Sequence, residues 1–84
     1  MSSDSMKILN LGFDNGVAAS RVVCIANAAA APMKRLKEEA RKSHRLVDVT
    51  NGRRTRAVVI TDSGYIILSS IQPQTLIQRS EEAD

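Results

Sequence analysis

Three arginines stand within four residues, at Arg53, Arg54 and Arg56, directly after Asn51-Gly52 and against the apolar run Ala57-Val58-Val59-Ile60. Guanidinium groups this close repel one another, so folding alone gives little reason to crowd them. A phosphate-rich partner reverses that balance, because each planar fork can donate two hydrogen bonds to phosphate oxygens. Asn-Gly between two β-forming runs is also a hairpin signal, since both central turn positions need positive φ. The segment therefore predicts arginines at the exposed tip of a hairpin joining strands 46–50 and 56–61. In that register Asp48 faces Thr55 and is close enough to pair with Arg56. A hairpin tip needs some charge for solubility and to discourage edge pairing, but one Lys would serve. Adjacent arginines exceed that need and favour nucleic acid as the partner.

The charge of the whole chain points the same way. Net charge is +3, yet residues 21–56 carry ten Lys/Arg against the three acids Glu38, Glu39 and Asp48. Residues 1–20 sum to −1 and residues 57–84 to −3. A central basic block flanked by acidic ends fits a polyanionic partner.

Catalytic and metal chemistry find little support. His44 is the one histidine and Cys24 the one cysteine, and Cys24 lies within the apolar run RVVCIAN, where it reads as a small core residue. No Cys/His cluster could hold a metal, no glycine-rich phosphate loop is present, and Asp14, Asp48 and Asp62 all fit turn or strand positions. Asp14-Asn15-Gly16 reads as a turn and not as a cation loop. We expect no enzyme activity, no cofactor and no small-molecule substrate.

The elements that must position the arginines follow from periodicity. Residues 1–6, MSSDSM, read as a disordered tail. KILNLGF reads as a first strand, DNG at 14–16 as a turn, and residues 21–26 as a second strand. A helix over PMKRLKEEARKSH opens at Pro32 and carries a narrow apolar stripe of Met33, Leu36 and Ala40. Charge pairs at i,i+4 (Lys34/Glu38, Arg35/Glu39, Glu38/Lys42) support it, with His44 in its last turn. LVDVT, RAVVIT and YIILSS then form three strands with short connections, an antiparallel β-meander. Pro73 opens a last helix, and residues 80–84 form an acidic tail. The order ββαβββα describes a small single α+β domain spanning residues 7–79.

Such a domain is short of core. A chain of 84 residues with Phe13 and Tyr65 as its only aromatics buries roughly 60–65% of its unfolded surface. It has no disulfide or metal to compensate, so self-association is expected. No apolar run is long enough for a signal peptide or a membrane span, which leads us to expect a cytoplasmic, nucleoid-associated protein with no membrane partner.

Laid out in this way, the chain resembles the RemA family of small bacterial regulators of extracellular-matrix genes. The resemblance runs from about Lys7 to Arg79. It rests on G-R-R-T-R-A-V-V at 52–59, A-P-x-K-R at 31–35, N-x-G-F at 10–13, Arg21, and I-L-S-x-x-Q-P at 67–73. The sequence departs from the family pattern at Asp14, where glycine is common, at His44, usually a small residue, and at Asn51, often tyrosine. The resemblance implies a transcriptional activator that assembles into a ring-shaped homo-oligomer, with duplex DNA bending around it. By position it implies that Arg21, Arg53 and Arg54 contact DNA, with Arg56 beside them, and that Pro32 and Arg35 support assembly. Two other readings use the same charge: an RNA-binding regulator, for which aromatic stacking platforms are scarce, and a scaffold oligomer that binds an acidic protein.

Overall fold

The computed structural model describes residues 7–82. Strands β1 (Ile8–Gly12) and β2 (Asn15–Ala18) form an antiparallel hairpin, and a single 3₁₀ turn at Ala19–Arg21 leads into β3 (Val22–Asn27). Helix α1 (Ala31–Lys42), strands β4 (Leu46–Asp48), β5 (Ala57–Thr61) and β6 (Ile66–Ser69), and helix α2 (Pro73–Glu82) complete the chain. The expected tail at residues 1–6 lies outside the described residues. Of the expected acidic tail, residues 80–82 are helical as the last turn of α2.

The four-stranded sheet runs β3-β5-β6-β4. β5 pairs antiparallel with both β3 and β6, whereas β4 pairs with β6 in parallel. The antiparallel meander expected over β4, β5 and β6 is therefore not formed. Its failure has a physical reason. β5 and β6 are apolar on both faces, and almost every residue in them is buried. Such strands belong at the centre of a sheet, flanked on both sides. The meander order β4-β5-β6 would leave β6 as an exposed edge. Placing β4, the short and half-polar strand, beside β6 makes both apolar strands interior.

Two cores sit on the two faces of this sheet. Ala57, Val59 and Ile67 face Leu9 and Leu11 of the hairpin and Leu76 of α2. Val58, Ile66 and Leu68 face Ala40 of α1, with Met33 and Leu36 packed at the margin. The apolar stripe predicted for α1 is thus the face it buries. Its charged residues form one i,i+3 ion pair, Arg41 to Glu38 at 3.6 Å, and not the i,i+4 pairs expected.

Cys24 is exposed, contrary to the expectation of a core residue. β3 is an edge strand whose register shifts between Val22 and Cys24. The shift turns Val23 and Cys24 outward together, while Val22 and Ile25 reach the core.

His44 lies just beyond α1 and not in its last turn. Its φ is +59°, and Arg45 N–H donates to the Ala40 carbonyl at 2.8 Å while His44 N–H reaches Arg41. These bonds close the helix as a left-handed cap, a position that favours glycine. His44→Gly should relieve the left-handed strain and raise stability by about 0.5–1 kcal/mol, read as a higher thermal midpoint.

Candidate nucleic-acid interface

Residues 49–56 must travel from the end of β4 to the start of β5, and β6 lies between those strands. The segment consequently crosses the end of β6 as a loop. Asn51 and Gly52 have φ of +55° and +80°, and Arg53 N–H donates to the Thr50 carbonyl at 3.0 Å. The turn predicted from Asn-Gly is present, but the strands it was expected to join do not pair. Gly52 has open space around its α-carbon, so its role is conformational.

Two anchors hold the loop. At its start, the Asp48 carboxylate accepts hydrogen bonds from the Thr50 hydroxyl at 2.6 Å and the Thr50 N–H at 2.9 Å. Thr50 itself is buried. At its end, Arg56 N–H donates to the Ser69 carbonyl at 2.9 Å. Asp48 is thereby engaged with Thr50, and it stands two strands away from Arg56. The pairing expected between Asp48 and Arg56 does not occur.

Among the described residues, the side chains of Arg53, Arg54 and Arg56 make no hydrogen bond or ion pair within the chain. All three are exposed, and with Ser70 they line one hollow of about 260 Å³. A larger groove of about 520 Å³ lies beside it, bounded by Arg54, Thr55 and Arg56 on one side and Asn27, Gln72 and Gln74 on the other. Among the described residues, no acid lines either space. Most other arginines are held: Arg21 by Asp62, Arg41 by Glu38, Arg45 by Ser43 and the Gly64 carbonyl, Arg79 by the Asn10 carbonyl.

Arg21, expected beside Arg53 and Arg54, is at the other end of the sheet. Its guanidinium meets Asp62 at 3.3 Å, and its carbonyl accepts from Asp62 N–H. Asp62 follows the end of β5 while Arg56 precedes its start, which separates the two sites by about 15–20 Å along the strand. Within one chain they do not form a common site. Pro32 and Arg35 are exposed in the first turns of α1, and Arg35 has no partner among the described residues.

One residue beside the arginine loop was not anticipated. The Phe13 ring lies under the Arg53 guanidinium, 5.6 Å from carbon to ring centroid. The pattern KILNLGF placed Phe13 at the end of the first strand, but β1 stops at Gly12 and Phe13 lies in the turn that follows.

With this geometry established, the comparison with known proteins is informative. The sequence model of the RemA-like family, described as extracellular matrix regulatory protein A-like, matches residues 8–79. The chain belongs to that family. It is 54% identical to a protein of Nitratidesulfovibrio vulgaris over 82 residues, 98% of this chain and 93% of that one. It is 57% identical to a protein of Syntrophobacter fumaroxidans over 88% of this chain and 79% of that one. A protein of Fervidobacterium nodosum is 51% identical over 90% and 82% respectively. Each of the three bears the name "Putative regulatory protein". The RemA-like match takes in the arginine loop, Phe13 and Arg21 alike.

The hydrogen bonds from the Thr50 side chain and backbone hold the Asp48 pKa below its ordinary value, and Lys37 adds a smaller effect in the same direction. A carboxylate held more tightly folded than unfolded contributes stability above the ordinary Asp range. That contribution is lost as pH falls through the lowered native value. Asp48→Ala should therefore cost about 1 kcal/mol near neutral pH. In denaturant titrations at successive pH values, the gap to wild type should narrow once pH drops below the carboxylate range.

Proposed function

We propose that this protein is a DNA-binding transcriptional regulator, acting as an activator of extracellular-matrix genes. In this reading it grips the duplex backbone through Arg53, Arg54 and Arg56, displayed repeatedly on a homo-oligomeric ring. The observation that carries the proposal is the contrast among the arginines. Among the described residues, those at the end of β6 have no intramolecular acid or carbonyl, as is true also of Arg35 on α1, while Arg21, Arg41, Arg45 and Arg79 are engaged. Three guanidiniums displayed on one anchored loop carry the hydrogen-bond donors and the charge that phosphate oxygens take up. Family membership and the relatives' regulatory names support the same class of function.

No recognition helix enters into this reading. Loop arginines favour phosphate or minor-groove contact, so sequence preference comes chiefly from how readily the DNA bends. Arg21 would join the same duplex from a neighbouring copy, once its bond to Asp62 opens.

The β3 edge supports assembly. Val23 is 66% exposed and Ile77 of α2 is 44% exposed. With Val22, Cys24 and Ile25 they line an open groove of about 280 Å³. An edge strand with apolar residues and no Lys or Pro to blunt it is a template for another chain. In a head-to-tail ring this edge meets a different surface of the next copy, which the family resemblance puts at the exposed Pro32 and Arg35 of α1.

Arg53→Ala or Arg54→Ala should abolish retention of a promoter-length duplex in gel shifts at moderate salt, with the oligomer unchanged by light scattering. Wild-type affinity should fall steeply with salt, by a log–log slope of about −0.9 per neutralised phosphate. A flat dependence, or undiminished binding by both variants, would overturn the reading. For assembly, Val23→Lys should shift the scattering mass toward that of a single chain and weaken DNA retention with it. An unchanged mass would exclude the β3 edge as the interface.

A further inference from the structure

The turn of the β1–β2 hairpin consists of Phe13 and Asp14, with φ of +54° and +65°. Asn or Gly accommodates both of these positions readily, whereas a bulky aromatic there is an outlier. Phe13 is also 44% exposed, so burial stabilises it only in part. Nor is it among the residues of either core. Its own fold therefore gives two reasons against Phe at this position and little in favour of it.

The backbone that carries the ring is nevertheless well anchored. Gly12 N–H donates to the Asn10 side chain at 2.8 Å, and the Asn15 amide donates to the carbonyls of Gly12 and Phe13 at 3.1 and 3.0 Å. Arg79 of α2 donates to the Asn10 carbonyl at 3.0 Å, fixing the base of the turn. The product of this scaffolding is the contact between the ring and Arg53. A guanidinium lying against an aromatic ring keeps its N–H groups at the periphery, free to donate to an anion. Its flexible stem is also restrained before any ligand arrives, which lowers the entropy lost on binding.

We propose that Phe13 is a positioning residue for DNA binding: its ring holds the Arg53 guanidinium in the orientation that grips a backbone phosphate. This rests on the functional reading given above. The role accounts for retaining an aromatic where the turn favours Asn, because strained conformations persist where function uses them.

The test compares Phe13→Asn, Phe13→Trp and Arg53→Ala in the full-length protein, using a random-sequence promoter-length DNA duplex and a salt series. Phe13→Asn suits the left-handed turn, so it should fold with an equal or higher thermal midpoint while binding DNA roughly threefold to fivefold more weakly for each engaged loop. Its salt slope should match wild type, because no charge has been removed. Phe13→Trp restores a ring face and should recover affinity. Arg53→Ala should lose affinity and flatten the slope. If Arg53→Ala abolishes binding but Phe13→Asn binds as wild type, or Phe13→Trp fails to recover affinity, the positioning role is wrong and the DNA reading stands. If Arg53→Ala and Arg54→Ala both bind as wild type, the DNA reading itself falls, and the positioning role falls with it.

Discussion

The end of β6 is the point on which the architecture turns. Ser69 is fully buried there and joins three parts of the chain. Its carbonyl accepts from Arg56 N–H, its hydroxyl donates to the Leu11 carbonyl at 2.9 Å, and the same oxygen accepts from Ile71 N–H at 3.1 Å. The arginine loop, the hairpin and the entry to α2 are thus tied to one residue. Because β6 lies between β4 and β5, the chain that crosses its end has no neighbouring strand to pair with. Its backbone groups must find partners locally, and they do so through Asp48, Thr50 and Ser69. The arginine side chains are left on the outside of that crossing.

Holding three like charges on a short loop carries an electrostatic cost, and the obvious remedy would be a nearby carboxylate. The chain places one at Asp48 but directs it at Thr50. The acid therefore stabilises the backbone of the loop without quenching the charge displayed on it. Stability is drawn instead from the two apolar faces of β5 and β6, which pack against the hairpin, α1 and α2 and leave the guanidiniums exposed. This division lets the loop be both anchored and electrostatically unsatisfied, a combination that favours binding an external anion over internal pairing.

Much of this was readable from residue pattern, and the omissions have identifiable causes. The apolar stripe of Met33, Leu36 and Ala40 defined α1, and Asn51-Gly52 correctly signalled two positive φ values. A turn signal is local, however, and does not reveal which strands lie beside it. The strand order was decided by competition for the sides of β5 and β6, whose unbroken apolar runs were the available clue to a central position. The β2 strand was missed because Asn15-Gly16 reads as turn, although Gly16 is there because a β-carbon would collide with Ile8. Cys24 was misplaced because one register shift inverts the facing of a strand, and alternation cannot foresee a bulge. Arg21 carries no mark of its partner, since Asp62 is distant in sequence. The cluster of Arg53, Arg54 and Arg56 was legible because crowding is visible in the linear sequence. The contact of Phe13 with Arg53 was not, because it depends on two turns meeting in space.

The small size of the domain links its two exposed features. Three guanidiniums neutralise at most a few phosphates, and a single such loop gives weak binding that salt readily defeats. The same shortage of residues that limits the charge also limits the core, leaving the apolar edge of β3 and the side chain of Ile77 without cover from the chain itself. A second copy placed on that edge would bury the apolar surface and add another arginine loop in the same step. Each further loop then acts at the high effective concentration set by the first, so affinity rises without any new kind of contact. On the reading proposed above, assembly and DNA binding are two consequences of one constraint: a chain too short to bury its edge strand is also too short to hold a duplex alone.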